Sequence, residues 1–97
     1  MRNATNLLQH ELIGLSMRIA KSTDRKQIGM HGIVVDETKN LLVLEGRDGK
    51  IMRIPKLGRT FHFKLTNASY EIKGKQIAFD PVERVRKCKG KKAKRVR

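Results

Sequence analysis

The stretch from residue 29 to residue 63 reads GMHGIVVDETKNLLVLEGRDGKIMRIPKLGRTFHF, with apolar segments divided by polar turns. Two apolar runs, residues 33–35 and 41–44, lie on either side of a polar break at 36–40. Each run is too short for a typical helix, and both are rich in branched side chains. Both runs therefore predict buried strands.

Turn chemistry and alternation predict two more strands in the same stretch. Residues 46–49 favour a hairpin, because Asp and Gly tolerate positive φ. Residues 51–54 predict a third strand that ends at Pro55, which lacks the N–H needed by a ladder. Residues 61–65 alternate and predict a fourth. Four strands joined by short turns indicate an antiparallel meander. Because both faces of the second and third strands are apolar, a closed barrel covered by helices is expected.

Weaker signals extend this pattern in both directions. Residues 15–20 and 70–73 alternate like strands, residues 73–75 favour a tight turn, and residues 77–79 predict a last strand. At the N-terminus, Thr5 can cap a short helix. The expected organisation is an N-terminal helix and partner-docking segment at 1–14, a β-barrel at 15–79, a short C-terminal helix at 80–88 and a disordered basic tail at 89–97.

The C-terminal part of the chain combines a clear helix signal with a run of basic residues. Asp80 is a good N-cap and Pro81 suits the first helical position, which together predict the C-terminal helix. From Arg84 to Arg97 there are nine basic residues and no acidic ones. Such a run is typical of a disordered tail, either solvated or bound to phosphates.

The charge of this single-domain chain points to a polyanionic partner. Lys and Arg outnumber Asp and Glu by 23 to 9, a formal net charge of +14 over 97 residues. So large an excess opposes folding through self-repulsion, and nucleic acid explains it better than a membrane surface or a bland solvated one. The few aromatic residues argue against base stacking. Structured RNA, recognised by shape and phosphate, fits best, with double-stranded DNA left open.

Several functional classes lack their usual residues. The single cysteine, Cys88, excludes an internal disulfide and a zinc site built on paired cysteines. His10, His31 and His62 are far apart in sequence, and the nine acids are scattered, so catalysis by this chain alone is not expected. No apolar run approaches the ~20 residues of a membrane span, and no signal-peptide pattern is present. We therefore expect a cytoplasmic protein without membrane contact.

Four motifs together resemble archaeal ribonuclease P protein component 1. They are HELIG at 10–14, GIVVDETKNLLV at 32–43, IPK at 54–56 and FHF at 61–63. The resemblance covers about residues 8–79. Any one motif is weak, but the combination at these spacings is specific. The tail beyond Cys88 lies outside the shared pattern.

This resemblance implies a mainly β fold, a small and strongly bent antiparallel Sm-like barrel of about six to seven strands with short N- and C-terminal helices. It also implies a noncatalytic subunit of ribonuclease P, the ribonucleoprotein that removes 5′ leaders from precursor tRNA. The RNA subunit would carry the Mg²⁺-dependent chemistry, and this chain would bind no cofactor. Its expected partners are the specificity domain of the RNA, a small zinc-ribbon protein subunit and, indirectly, precursor tRNA.

Two sets of site residues follow. The resemblance implies a protein-partner interface at apolar residues that ordinary core packing would also explain: Leu7, Leu8, Leu12, Ile33 and Val35. The cations predicted to contact RNA phosphates are Lys39, Arg53, Lys56, Arg59, Lys64, Arg84, Arg86 and Lys87. Two alternatives remain open: another small basic barrel that binds ribosomal RNA or duplex DNA, and a nuclease active by itself.

Overall fold

The computed structural model describes residues 11–65, 68–87 and 93–96, which form one antiparallel sheet of seven strands. The strands are β1 (Ser16–Ser22), β2 (His31–Glu37), β3 (Leu41–Glu45), β4 (Ile51–Pro55), β5 (Arg59–Lys64), β6 (Ser69–Lys73) and β7 (Lys94–Val96). One α-helix, α1 (Pro81–Lys87), and two 3-10 turns, Arg25–Gln27 and Gly74–Gln76, complete the described part. The predicted mainly β, antiparallel fold is confirmed; its Sm-like character stays a prediction.

Strand order in the sheet is β4-β3-β2-β1-β5-β6-β7. The predicted meander is right for β2, β3 and β4 but wrong for β5, which crosses to pair with β1. Pro55 ends β4, and in β5 Phe61 and Phe63 lie opposite Ile19 and Met17 of β1. This crossover brings four large apolar side chains to the same side of the sheet.

Inward-facing side chains of the strands form a single core. Its fully buried members include Leu12, Met17, Ile19, Val34, Leu42, Leu44, Phe61, Phe63, Ile72 and Ile77. The rings of Phe61 and Phe63 meet edge to face, with centroids 6.3 Å apart. Each such side chain contributes roughly 1.5–3 kcal/mol through burial, so the alternating pattern holds the sheet together.

A β-bulge in β2 decides which of two adjacent acids enters the interior. The register with β3 shifts between Val34 and Asp36, which leaves Val35 as an extra residue. Strict alternation from the buried Val34 would turn Asp36 inward and Glu37 outward. The extra residue reverses this, so Asp36 is exposed and Glu37 is buried.

Two predictions near the C-terminus are wrong. Residues 77–79 form no strand, because the turn Gly74–Gln76 precedes them and Ile77 donates its N–H to the Gly74 carbonyl. The tail predicted as disordered from Lys89 forms β7 at Lys94–Val96, which pairs with β6. Ladder hydrogen bonds use the backbone, so basic side chains do not prevent pairing. Of the segment 1–14 that was predicted as an N-terminal helix, residues 11–14 are not helical and end in a turn, and residues 1–10 lie outside the described residues, as do 88–92 and 97.

The predicted C-terminal helix is confirmed by its cap. Asp80 accepts a hydrogen bond from the Val82 N–H at 3.0 Å through its carboxylate and one from the Arg84 N–H at 2.8 Å through its carbonyl. The outer faces of the second and third predicted strands, β3 and β4, were expected to be covered, but Ile51 of β4 is 45% exposed. In the described ranges no helix is long and apolar enough to span a membrane.

Candidate nucleic-acid interface

The outer surface of the sheet has two chemically different halves. On β2, β3 and β4 the outward side chains include Ile33, Val35, Val43 and Ile51, which we call the apolar face. On β1, β5, β6 and β7 the outward side chains are mostly polar. Their cations are Arg18, Lys21, Lys64, Lys73 and Lys94, which we call the basic face.

Strand register assembles the basic face from residues far apart in sequence. Directly opposed residues of antiparallel strands point to the same side, so each pairing makes a transverse row. Three rows cross β1, β5 and β6: Ser16, Lys64 and Ser69; Arg18, His62 and Glu71; and Lys21, Thr60 and Lys73. Lys94 of β7 extends the middle row opposite Glu71. These rows carry five Lys or Arg residues and one acid, which makes this surface strongly cationic.

The middle row contains the closest polar contacts of this face. The Arg18 guanidinium Nη2 lies 3.5 Å from Nδ1 of His62, and the opposite ring nitrogen, Nε2, lies 3.5 Å from Oε1 of Glu71. The His62 ring is therefore held between a cation on β1 and a carboxylate on β6.

A second charged cluster lies inside the protein. Glu37 Oε2 accepts hydrogen bonds from Lys56 Nζ at 2.9 Å and Arg84 Nε at 3.0 Å, and its Oε1 accepts one from Arg84 Nη2 at 2.9 Å. Lys56 Nζ also donates to the carbonyls of Ile77 at 2.7 Å and Phe79 at 3.3 Å. The cluster joins β2, the end of β4, the segment after β6 and α1. Burial lowers the pKa of Lys56, while its hydrogen bond to Glu37 acts in the opposite direction.

This cluster corrects two of the predicted RNA contacts. Lys56 is 0% exposed and Arg84 1%, so neither side chain reaches the surface where a phosphate would bind. Both cations are committed to Glu37 because an unpaired charge in the interior is very costly. The only local signal for this buried cluster was an acidic residue directly after an apolar strand pattern. The sequence did not predict the bulge that turns this residue inward.

Among the remaining predicted RNA contacts, only Lys64 belongs to the basic face. Lys39, Arg53 and Arg86 are exposed, but they lie in the β2–β3 turn, beside the apolar face and on α1. Arg59 is half-buried, with Nε donating to Gln27 Oε1 at 2.9 Å and Nη1 to the Leu57 carbonyl at 2.8 Å. The side chain of Lys87 is outside the described part. The predicted cations therefore do not form one surface.

The predicted partner interface is divided in the same way. Ile33 and Val35 are exposed on the apolar face, as a contact surface requires. Leu12 is 0% exposed and packs in the core, so it is not an interface residue. Leu7 and Leu8 lie outside the described residues.

Most of the basic face was missed as a site. Of its five cations, only Lys64 was among the predicted RNA contacts. Alternation around buried residues such as Met17 and Phe63 marks Arg18 and Lys64 as outward. Nothing in the sequence shows that these strands are neighbours. Among the residues described, no group of three or more His, Cys, Asp or Glu side chains is placed to hold a metal ion.

These features define a small, strongly basic, antiparallel β protein whose outer surface is divided between an apolar and a cationic half. The chain belongs to the family of subunit p29 of ribonuclease P/MRP, whose model matches residues 5–87. This membership confirms the resemblance seen in the sequence and gives the chain a role in ribonuclease P.

Archaeal relatives and a solved structure agree with this assignment. Ribonuclease P protein component 1 of Methanothermobacter thermautotrophicus is 45% identical over 83 residues, covering 84% of this chain and 89% of that protein. The Methanocaldococcus jannaschii protein of the same name is 42% identical over 82 residues, covering 84% and 86%. The structure of Mth11, described as a homologue of human RNase P protein Rpp29, has a TM-score of 0.57 at 45% identity and covers 76% of this chain and 96% of that one.

Proposed function

We propose that this chain is a noncatalytic subunit that binds the RNA of ribonuclease P, the ribonucleoprotein that cleaves 5′ leaders from precursor tRNA, through its basic face. The observation that carries the proposal is the assembly of five Lys or Arg side chains, with one acid among them, on one surface of a family member. Cations spread over the outer surface of a sheet suit the phosphate backbone better than base edges.

The mechanism is electrostatic. Where RNA helices crowd together, phosphates repel one another, and cations fixed on a rigid sheet neutralise them without the entropy loss of ordering a loop. The protein thereby lowers the Mg²⁺ concentration at which the RNA subunit keeps its active shape. In our proposal the RNA subunit carries the cleavage chemistry and binds the Mg²⁺. This chain contacts the specificity domain of that RNA and interacts with precursor tRNA only indirectly.

The apolar face serves a different partner. Ile33 and Val35 of β2 are 44% and 39% exposed, and Ile51 of β4 is 45% exposed across β3, with Glu45 in register between Ile33 and Ile51. Large apolar side chains exposed on one surface mark protein interfaces. We assign this face to another protein subunit of the complex, the small zinc-ribbon protein. The two halves of the surface then hold RNA and protein at the same time without competing.

Salt dependence of RNA affinity tests the proposal with matched triple variants. In the first, Lys21→Gln, Lys64→Gln and Lys73→Gln remove three charges from the basic face. In the control, Arg25→Gln, Lys26→Gln and Arg86→Gln remove three exposed charges elsewhere. The measured quantity is the slope of the logarithm of RNA affinity against the logarithm of salt concentration. If each basic-face lysine contacts one phosphate, the first variant reduces this slope by about 2–3, and the control reduces it by less than 1.

Two outcomes would contradict the proposal. One is an equal loss in both variants, which would mean that only the net charge matters. The other is equal affinity of the unaltered protein for ribonuclease P RNA, unrelated RNA and duplex DNA, which would leave a generic basic protein.

A further inference from the structure

The middle row of the basic face continues across five strands with two histidines in it. Register pairs His31 of β2 with Arg18 of β1, Arg18 with His62 of β5, and His62 with Glu71 of β6. Lys94 of β7 ends the row. Two imidazole rings therefore flank one guanidinium on an open surface.

A depression of about 300 Å³ lies over this part of the sheet. Its lining contains several groups that donate hydrogen bonds to anions, and no carboxylate is found among its described lining residues. The lining residues are Ser16, Met17, Arg18, His31, His62, Lys64, Ser69 and Val96. A guanidinium, an ammonium, two imidazoles and two hydroxyls form a donor set that suits a phosphate group.

The geometry around His62 depends on its protonation. When the ring is neutral, Nδ1 can accept from Arg18 Nη2, 3.5 Å away. When it is protonated, Nε2–H faces Glu71 Oε1 at 3.5 Å, and Nδ1–H points at a guanidinium that cannot accept. A phosphate oxygen between Nδ1 and Nη2 would accept from both cations. The protonated ring is thus best satisfied with an anion bound.

We propose that Arg18, His62 and Lys64, with His31, Ser16 and Ser69 around them, form a phosphate-binding site whose affinity for an RNA phosphate rises when His62 is protonated. The proposal rests on the RNA-binding function and names one phosphate site within it. Imidazole side chains as a class change charge between about pH 5 and 8, and this range sets the pH values of the test. By linkage, a bound phosphate favours the protonated ring to the same extent.

The charged surroundings support this direction. Arg18 on β1 and Glu71 on β6 face His62 directly, with Lys21 and Lys73 one row away on those strands and Lys64 on its own strand. These four cations exceed the one acid, so the surroundings of the ring favour a bound anion. At His31 the facing groups are Arg18 and, across the neighbouring cleft, Arg47, Lys50 and Asp48, again with more cations than acids.

The test is RNA affinity at pH 6.0 and 8.0 at constant ionic strength. We expect the unaltered protein to bind ribonuclease P RNA about tenfold more tightly at pH 6.0, the size of one added charge-assisted hydrogen bond. In His62→Gln the ratio of the affinities at pH 6.0 and 8.0 falls most of the way to one, and in the double variant with His31→Gln it reaches one. The matched control, Lys73→Gln, weakens binding at both pH values and keeps the ratio. Circular dichroism of each variant verifies folding.

A titration with inorganic phosphate separates failure of the site from failure of the function. At pH 6.0, the NMR resonances of the His62 ring and the Arg18 side chain shift with phosphate and saturate, and in Arg18→Gln the His62 shift is lost. If RNA binds but the pH ratio is absent, or survives in the double variant, the site is overturned and RNA binding stands. If RNA does not bind, saturating shifts at His62 still support the site, and their absence overturns it.

Discussion

Arg84 of α1 forms a bidentate ion pair with Glu37 of β2, with Nη2 2.9 Å from Oε1 and Nε 3.0 Å from Oε2. Both side chains are almost completely buried. This pair joins residues 47 positions apart in sequence and therefore holds α1 against β2. The pair is structural, and it removes Arg84 from the cations available to RNA.

Replacing Arg84 should destabilise the protein strongly. In Arg84→Met, the Glu37 carboxylate loses both contacts to the guanidinium, and breaking a buried ion pair costs about 3–5 kcal/mol. Chemical denaturation measures this loss. The control is Arg86→Met on the same helix, where the exposed side chain predicts a change within about 0.5 kcal/mol. Equal stability of the two variants would contradict the assigned role.

Lys56 should make stability rise with pH on the alkaline side. Its pKa is lowered in the folded protein, chiefly by burial, from the usual 10.5. Between the lowered folded value and 10.5 the unfolded chain binds more protons, so the free energy of unfolding increases with pH in that window. Comparing the pH dependence of unfolding between the unaltered protein and Lys56→Met isolates this contribution. If the difference in the free energy of unfolding between the two proteins is flat or falls as the pH approaches 10.5, the prediction is wrong.

Gly74 should tolerate no side chain. A Cβ built there would overlap the carbonyl of Lys56 and lie 3.1 Å from the carbonyl of Arg59. Because backbone rather than a flexible side chain is in the way, Gly74→Ala should lower the free energy of unfolding by about 3 kcal/mol or more. The control is Gly46→Ala, where the nearest atom is a side-chain oxygen of Asp48 at 3.2 Å. A thermal melt in which both variants lose the same stability would refute the close packing of these backbones.

Charges placed on the apolar face should abolish protein-subunit binding and leave RNA binding intact. Ile33→Lys with Ile51→Lys puts two cations on this surface, one on β2 and one on β4, and desolvating them in an interface is unfavourable. Calorimetry with the zinc-ribbon subunit should show at least a tenfold loss, while affinity for RNA is unchanged or slightly higher. Loss of both activities together would show that the two faces are not independent.

Local patterns predicted most elements of this fold. The apolar runs of β2 and β3, the turn at 46–49 and the cap at Asp80 all act within a few residues, and each element formed where expected. The strand at 77–79 was lost to a local turn, and the other errors concern contacts across the chain. The pairing of β5 with β1, and of β7 with β6, depends on which edges are free after the rest of the sheet has formed.

The sequence by itself determined the excess of positive charge, the β-forming segments and the family, because composition, alternation and motif spacing are properties of neighbouring residues. Which cations reach solvent was decided only by the tertiary structure. The bulge at Val35 turned Glu37 inward, and that carboxylate drew Lys56 and Arg84 into the interior. Register across β1, β5 and β6 then placed Arg18, His62 and Lys64 side by side. A lysine in a buried pair and one on an open face look alike in sequence, since their difference lies in partners distant along the chain.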